Sequence, residues 1–482
     1  MKKIISIILV VMMVLGLCAC GQGGGGETAS AKTFQVGYAK GNITPSTLGL
    51  PMGGYGNAAF RLSTGFLDYT YATVIALSDE SGETVLLISN DLIRMPEKWV
   101  ATSRQLINQA TGIPEDHIMI AATHTHSSVD VGNNQLATTD PYYLNDYSKA
   151  LVKAAQDAIA DLSPATIQTG KGNIDRMNFI RHYLMSDGSY AGDNHGTFEG
   201  LEIVDHATKN DNQFQLIRFI RAAEDKKDVL LMNWQGHPCM TGGKDSTVLS
   251  ADYIGTVRDY VEKNAQVDFI YFTGAAGNLN VSSRISGEAL TNDVKEYGQI
   301  MGDKVIEVLG ADMKDVNSGK LLTKQTIYTA EIDHSEDHLL DIAKPVSELY
   351  KSTGDRTAAN NLARSNGLNS VYHANSIVNR QAQGASATFE VDQIAVGDIS
   401  FVTSPYEMFD TQGMYIKENT PFDTTIVMTL CNGSNSYFAS EFAFEYGCYE
   451  VDNHRFVKGS AEAVAELHVN ELKALQEQAN AQ

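Results

Sequence analysis

Two hydrophobic patterns alternate along the chain. Short apolar runs rich in β-branched or aromatic residues predict strands, and stretches with an apolar residue at every third or fourth position predict helices. The predicted strands are Thr84–Ser89, His117–Ala122, Thr166–Thr169, Phe214–Ile220, Val229–Trp234, Asp268–Phe272, Thr323–Thr329, Ala387–Ala395, Ile399–Thr403 and Thr425–Leu430. The predicted helices are Glu97–Gln109, Asn145–Asp161, Tyr253–Lys263, Asn292–Leu309, His334–Tyr350 and Ala461–Gln478.

This interleaving of strands and helices indicates an α/β fold with mixed β-sheets flanked by helices. No segment rich in Pro, Gly or Ser divides residues 33–482, so we expect one large domain there. Within it, Ser335–Gln383 is polar and mostly helical, which suggests an inserted cap.

Composition narrows the possible functions. Hydrophobic residues make up 43% of the 482 residues, as in an ordinary folded protein. The formal net charge of -22 repels phosphate backbones, so we expect no nucleic-acid partner. The five cysteines form no CxxC pair or Cys/His finger pattern, so a bound metal must be held by histidine and oxygen ligands.

The N-terminus has the pattern of a targeting signal. Two lysines precede the apolar run Ile4–Leu17, which is too short for a comfortable membrane span. The run ends in Leu-Cys-Ala-Cys-Gly, which resembles the bacterial lipobox and makes Cys20 the lipidated cysteine. We predict a signal peptide at 1–19, a Gly/Ser-rich tether at 20–32, and an exported protein anchored by lipid to the outer face of the bacterial cell membrane. A plain secretory peptide with an incidental cysteine is the alternative.

The strand at His117–Ala122 leads into the sequence Thr-His-Thr-His-Ser. Alternation along a strand would point His124 and His126 to the same side. Strand ends in α/β folds collect ligands, and paired histidines suit a borderline metal such as zinc. Two surface histidines at a strand end are the alternative.

Two further strands deliver residues that can bind a metal. Val229–Trp234 is followed by His237, and Ile399–Thr403 leads through a Pro turn to Glu407. Glu407 would complete a His/His/Glu set. Alternatively, it stands at the start of a helix, where its charge complements the helix dipole.

Six short motifs in order give the chain a resemblance to the neutral/alkaline ceramidase family. They are Val36–Pro45, the Thr-His-Thr-His-Ser box, the Asn-Trp-x-x-His strand with Ser250-Ala251-Asp252, the Gly274–Asn280 loop, Pro405-x-Glu407 and Asn432–Tyr437. The resemblance implies the catalytic fold of that family. Because the chain stops soon after the last motif, we expect no C-terminal immunoglobulin-like domain.

The resemblance also implies a catalytic zinc ion bound by His124, His237, Glu407 and Tyr437. Such a ligand set leaves the ion open to a water whose pKa falls towards about 7, and this water is the implied nucleophile. His126 is implied to orient the water or move its proton. A structural hydrogen bond is the alternative role for His126.

The same resemblance assigns two residues to the substrate, and a third candidate stands where the chain departs from the family pattern. Tyr449 matches a family tyrosine that hydrogen-bonds the substrate carbonyl and would stabilise the oxyanion. Arg181 resembles a substrate-contacting arginine, with an ordinary salt bridge as the alternative. Asn278 and Asn280 stand where the ceramidases have an aspartate and an active-site serine. An amide is no nucleophile, but Asn280 can donate a hydrogen bond to a carbonyl oxygen, so the zinc-water route survives the change.

We therefore expect a zinc-dependent hydrolase of an amide bond, with an N-acyl lipid of the ceramide type as the leading substrate. One alternative is a hydrolase of the same fold acting on another amide, an ester or a lactone, including a saccharide-linked one. The other is a lipoprotein that binds a small-molecule or lipid ligand without turning it over. Cys239 is expected to pack as a small apolar residue, and Cys431 and Cys448 would be able to pair in an oxidising compartment.

Overall fold

Alternation of side chains gives the main sheet a buried core on each face. In the strand Tyr71–Ser78, Val74 and Ala76 contribute to one core cluster, and Ile75 and Leu77 contribute to another. Successive side chains of a strand point to opposite faces, so this continuous apolar run predicts a sheet that is covered on both sides.

This larger sheet has nine strands in the described part of the chain. Its order is Asp268–Thr273, Val229–Trp234, Gln213–Arg221, Ser163–Asn173, Gln35–Asn42, Tyr71–Ser78, Thr84–Asn90 and Ile118–Ala122, with Lys314–Val316 also paired to Ser163–Asn173. The first and last pairs in this order are parallel, and the pairs between them are antiparallel. The sheet is therefore mixed.

The two edge strands of the larger sheet come together. Thr273 Oγ1 donates a hydrogen bond to the Thr123 carbonyl oxygen at 2.7 Å, and the Ser89 hydroxyl donates to the Tyr271 carbonyl oxygen. The sheet is thus curled, and the carboxyl end of Ile118–Ala122 lies beside that of Asp268–Thr273. This closure places the loops after both strands in one site.

A second sheet packs against the inner face of the first. Its strands, in order, are Leu321–Glu331, Ser386–Val396, Ile399–Ser404 and Thr424–Thr429. Side chains of both sheets, among them Leu231 and Phe401, share one core. Helices Glu97–Thr111, Pro141–Ala160, Asp252–Ala265 and Val294–Ala311 pack on the larger sheet, and Asp410–Asn419 and Ser460–Asn480 pack on the smaller one. The α/β prediction with mixed sheets flanked by helices is confirmed.

The polar region predicted as a cap folds into helices Leu340–Thr353, Arg356–Ser365 and Val371–Gln381, preceded by the single turn Asp337–Leu339. Residues of all three helices form a small core of their own. We call Asp337–Gln381 the helical insert.

The remaining elements are short. Three strand pairs join Gly65–Phe66 to Val248–Leu249, Phe179–Ile180 to Leu279–Asn280 and Glu407–Met408 to Tyr437–Phe438. A three-stranded sheet consists of Ile203–His206, His182–Met185 and Tyr190–Gly192. The short helical segments are Ala58–Phe60, Glu115–His117, Glu441–Tyr446 and Tyr449–Asp452.

Two long strands of the larger sheet, Gln35–Asn42 and Tyr71–Ser78, were absent from the strands predicted by pattern. Gln35–Asn42 contains two glycines, which weaken a strand signal. Their role is packing, because a Cβ on Gly37 would lie 1.9 Å from the Ala158 carbonyl oxygen of the covering helix. The helix predicted from His334 begins at Leu340, after the turn at Asp337–Leu339.

This computed structural model describes residues 33–55, 58–133, 136, 140–242, 247–311 and 313–481. The predicted signal peptide, Cys20 and the tether lie outside the described residues. Within those ranges, no helix is both long enough and apolar enough to cross a bilayer.

Candidate active site

The His-x-His box lies just beyond the strand that precedes it. The strand ends at Ala122, and His124 has a left-handed backbone with φ 68°. The expectation that strand alternation aligns the two histidines is therefore wrong, because the chain has already left the extended conformation. The expected convergence is nevertheless present, since His124 Nε2 and His126 Nε2 are 3.3 Å apart.

A third imidazole completes this group. His237 lies in the loop after Val229–Trp234, and its Nε2 is 2.8 Å from His126 Nε2. The three ring centroids are 4.6 to 4.9 Å apart. Their nitrogens are close enough to hold one metal ion. We call His124, His126 and His237 the imidazole cluster.

Backbone carbonyls fix the tautomers of two of these histidines. His124 Nδ1 lies 2.8 Å from the Ile93 carbonyl oxygen, and His237 Nδ1 lies 3.2 Å from that of Ala276. A carbonyl oxygen only accepts, so each Nδ1 carries the proton and each Nε2 presents a lone pair to the cluster. His126 Nδ1 is buried near the Gly54 backbone without a well-formed hydrogen bond to a described residue. His124 and His237 are thus held ready for a metal, and His126 is not.

Glu407 approaches the cluster from the smaller sheet. It lies in the short strand Glu407–Met408, which pairs in parallel with Tyr437–Phe438, and the next helix starts only at Asp410. The alternative interpretation, that Glu407 stands at the start of a helix where its charge complements the dipole, is therefore wrong. Glu407 Oε2 lies 3.3 Å from His124 Nε2 and, though buried, accepts no hydrogen bond from a described residue.

These spacings fit zinc. Zinc bonds of about 2.0–2.2 Å to nitrogen and oxygen place tetrahedral ligand atoms roughly 3.3–3.5 Å apart. The 3.3 Å between His124 Nε2 and Glu407 Oε2 matches that spacing, and so does the 3.3 Å between His124 Nε2 and His126 Nε2. The 2.8 Å between His126 and His237 is a hydrogen-bond distance instead. Two imidazole lone pairs and a carboxylate oxygen without a proton donor form a suitable donor set.

Burial sets the protonation states around the cluster. Desolvation is the main cause that holds the pKa of His126 and of His237 well below the ordinary histidine value, and the Arg181 charge lowers it further, so both are neutral at pH 7. Burial likewise raises the pKa of the Tyr437 and Tyr449 phenols, which therefore keep their protons. The cluster supplies lone pairs, and the phenols supply hydrogen-bond donors.

Tyr437 and Tyr449 stand together beside the cluster. Their ring centroids are 5.6 Å apart, and the pairing of Glu407 with Tyr437 brings this phenol next to the candidate ligands. Both tyrosines line the two cavities that meet at His126.

Arg181 takes part in a salt bridge and also lines a cavity. Its Nε donates to Glu450 Oε1 at 2.6 Å, and its Nη2 donates to the Gly277 carbonyl oxygen at 2.7 Å. Glu450 is fully buried, and its Oε2 lies 2.6 Å from His182 Nε2. The salt-bridge alternative is thus present, and the guanidinium still borders the cavity 5.5 Å from the Tyr437 ring.

The two asparagines of the glycine-rich loop have different surroundings. Asn278 is buried and exchanges two hydrogen bonds with Asp410, at 2.7 and 3.0 Å, which ties the loop to a helix start. Asn280 lines the cavity with Cys239, whose Sγ is 3.6 Å from Asn280 Oδ1. Cys239 thus borders the cavity as well as the core. Cys431 and Cys448 are free thiols, so the suggested disulfide is absent from the described chain.

Sequence reasoning missed the segment that covers His126. Gly54 has φ 98°, and a Cβ there would lie 2.6 Å from His126 Cγ. The Tyr55 ring meets the His126 ring edge-on at 5.0 Å, and Arg61 Nη2 donates to the His126 carbonyl oxygen at 2.9 Å. The Gly53-Gly54 pair is the signal that marks this close approach.

Sequence reasoning also missed Tyr372, which the helical insert contributes. Its ring meets Tyr449 edge-on at 5.5 Å and lines both cavities. Nothing in its local sequence distinguishes it from a tyrosine on any helix.

Two cavities open from the cluster. The first, of about 370 Å³, is bordered by Ile93, His124 and Glu407, and the second, of about 510 Å³, by Arg181, His237 and Asn280. Gly54, His126, Tyr372, Tyr437 and Tyr449 border both. The candidate ligands and the predicted substrate residues thus share one recess.

Comparisons with known proteins identify a family and a shared fold. A family model described as neutral/alkaline non-lysosomal ceramidase, N-terminal, matches residues 34–292. The chain is similar in structure to neutral ceramidase from Pseudomonas aeruginosa, with TM-score 0.67, 16% identity and coverage of 92% of this chain and 75% of that one. It is also similar to a ceramidase complexed with C2, with TM-score 0.68, 16% identity and coverage of 92% and 76%. At this identity the likeness shows a shared fold. No curated protein matches the chain.

Proposed function

Because the chain belongs to the neutral/alkaline non-lysosomal ceramidase family, we propose that it is a zinc-dependent hydrolase that cleaves the amide bond of an N-acyl substrate, the linkage found in ceramide. One observation carries the proposal. The lone pairs of His124 and His237 and the unpartnered oxygen of Glu407 lie together at one recess, with the Tyr437 phenol beside them.

His124, His237, Glu407 and Tyr437 would hold the ion. When bound, zinc supplies Lewis-acid activation of water and of the amide carbonyl. The carbonyls of Ile93 and Ala276 keep the two imidazoles in the ligating tautomer, so binding requires no change of tautomer.

His126 is the proposed proton carrier. As a neutral imidazole it accepts a proton from the attacking water while the new carbon–oxygen bond forms. It then gives this proton to the leaving nitrogen as the carbon–nitrogen bond breaks, which yields a carboxylic acid and an amine. Tyr449 O–H and the Asn280 amide would donate hydrogen bonds to the carbonyl oxygen as its negative charge develops.

Metal analysis and turnover test this proposal together. The purified protein should contain about one zinc per chain. A chelator should remove both zinc and amide hydrolysis, and added zinc should restore both. The assay compares an N-acylsphingosine, the substrate implied by the family resemblance, with simple amides and esters. Preferential turnover of an ester would favour the same-fold alternative, and zinc retention without hydrolysis of any compound would favour the ligand-binding alternative.

We also propose that the protein is exported and held at the outer face of the cell membrane by a lipid on Cys20. The lipobox-like sequence supports this, although Cys20 lies outside the described residues. Cys20→Ser should move the protein from the membrane fraction to the soluble fraction or the medium. Continued membrane fractionation would refute the anchor.

A further inference from the structure

The walls of the recess are unusually polar for a site that accepts hydrocarbon chains. Among the described residues that line the second cavity there is no Val, Leu, Ile, Met or Phe. In the first cavity, Ile93 is the one described side chain of these types. Apart from the rings of five tyrosines, a long acyl or alkyl chain placed here would bury its methylenes against groups that need water or hydrogen bonds, which reduces the usual gain from apolar burial.

The second cavity also differs in charge from the rest of the chain. Its lining includes Arg181, Arg284 and Arg356 and one carboxylate, Asp193, whereas the chain as a whole has a formal net charge of -22. Cationic side chains gathered at one recess of an acidic protein attract anionic ligands to that recess.

Two of these guanidinium groups are already balanced. Arg181 is paired with the buried Glu450, and Arg284 Nη2 lies 2.8 Å from Asp193 Oδ1. Arg356 makes no ion pair with a described residue. The adjacent carboxylate of Asp355 caps the helix by accepting from Ala358 N. Arg356 therefore keeps an exposed guanidinium at the cavity wall.

We propose that the substrate is an N-acyl compound with a short acyl chain and a carboxylate or another anionic oxygen group on its amine portion, and that Arg356 recognises this group. The inference rests on the proposed amide hydrolysis and narrows its substrate class. A guanidinium suits this role because its planar donors match a carboxylate with two parallel hydrogen bonds. Polar walls then accommodate the amine portion, and the acyl portion is limited to a few carbons.

Binding to the intact, zinc-loaded protein tests whether Arg356 recognises an anionic group. The probes are 4-oxononanoic acid, which mimics N-hexanoylglycine with the amide nitrogen replaced by carbon, and the neutral 1-hydroxynonan-4-one. Calorimetry should show that the acid binds about tenfold more tightly. Arg356→Gln should remove most of that preference, and Arg356→Lys should retain part of it. Arg364→Gln, which changes an exposed arginine of the same helix, should leave it intact.

Equal affinity for the two probes would overturn the proposal. A preference for the acid that persists in Arg356→Gln would also overturn it, because the zinc ion or another group would then be binding the carboxylate. Every variant is measured with zinc bound, so the attraction between the ion and the carboxylate of the probe is the same in each measurement and does not affect the comparison.

Turnover tests whether the acyl chain of the substrate is short. N-hexanoylglycine should be hydrolysed with higher kcat/KM than N-palmitoylglycine, and a long-chain ceramide should be the poorest substrate of the three. Faster hydrolysis of the palmitoyl compound or of ceramide would refute the short-chain substrate while leaving amide hydrolysis in place. Tight binding of the acid through Arg356 without cleavage of any amide would instead refute the proposed function and keep the anion site.

Discussion

The imidazole cluster and the helical insert reach the same recess by different means. The cluster stands on loops that follow strands of the large sheet, and main-chain carbonyls orient two of its imidazoles. The helical insert has its own small core and reaches the recess through Tyr372 and Arg356. The proposed reaction chemistry therefore depends on the central fold. The proposed substrate recognition draws on the helical insert, which is joined to the rest of the chain by contacts such as the hydrogen bond from the Ser376 hydroxyl to the His454 carbonyl oxygen at 3.0 Å.

The largest expected effect is at the cluster. His237→Ala should lose zinc and essentially all hydrolysis, because it removes a ligand whose Nε2 is preset by the Ala276 carbonyl. His338→Ala, at an exposed histidine of the helical insert, should change neither. Elemental analysis and amine release measure both outcomes, and full zinc occupancy in His237→Ala would remove it from the ligand set.

The second prediction distinguishes a proton-transfer role from a metal-ligand role for His126. His126→Ala should keep most of the zinc and lower kcat by about 10²–10⁴, the range for loss of a positioned acid or base. Its Nδ1 lacks the firm carbonyl anchor of its two neighbours, which is the structural reason for the different expectation. If the variant is as empty of zinc as His237→Ala, His126 is a ligand and Tyr437 is the one to discard.

Sequence alone predicted the convergence of His124, His237 and Glu407 better than it predicted their surroundings. His124, His237 and Glu407 were identifiable because each follows an apolar strand, and strand ends gather at one edge of a sheet. The left-handed turn at His124 and the short pairing of Glu407 with Tyr437 depend on contacts between two sheets, which no local pattern encodes. Arg356 and Tyr372 lie on a polar helical segment whose contact with the recess is a property of tertiary packing.

The third prediction compares two carboxylates, each of which contacts one arginine and one histidine. Glu450 beside the recess contacts Arg181 and His182, and Glu336, which precedes the helical insert, contacts Arg380 and His373. The Glu450 side chain is 1% exposed and that of Glu336 is 28% exposed. Glu450→Gln should therefore lower the free energy of unfolding by about 3–5 kcal/mol, because it leaves a buried guanidinium uncompensated.

Glu336→Gln should cost less, about 1–2 kcal/mol, because water screens part of its interaction. Urea unfolding of both variants measures the difference, and equal losses would show that burial does not separate the two sites. Glu450→Asp, which keeps the charge, serves if Glu450→Gln gives no soluble protein.

Acid should also weaken this pair of interactions. The neighbouring Arg and His charges hold the pKa of Glu450 well below its ordinary value and lower that of Glu336 to about 2. A carboxylate with a lowered folded-state pKa stabilises the protein above its unfolded pKa of about 4.3, and this contribution is lost as pH falls towards the folded value. Wild-type stability should fall below about pH 4 more steeply than that of Glu336→Gln.

The smallest effect is expected for Tyr372, whose ring the helical insert places in the recess. Tyr372 contacts Tyr449 at its edge and lines both cavities, but no described contact joins it to the candidate zinc ligands. Tyr372→Ala should therefore raise KM by roughly 3- to 10-fold and leave zinc content unchanged, since it removes a contact made equally in the ground state and the transition state. Tyr350→Phe, a conservative change to the tyrosine that packs behind Tyr372, should alter KM less. A fall in kcat of the size expected for His126→Ala, with KM unchanged, would mean that Tyr372 positions Tyr449 for oxyanion stabilisation. The helical insert would then belong to the catalytic machinery, and the division between chemistry on the central fold and recognition by the helical insert would fail.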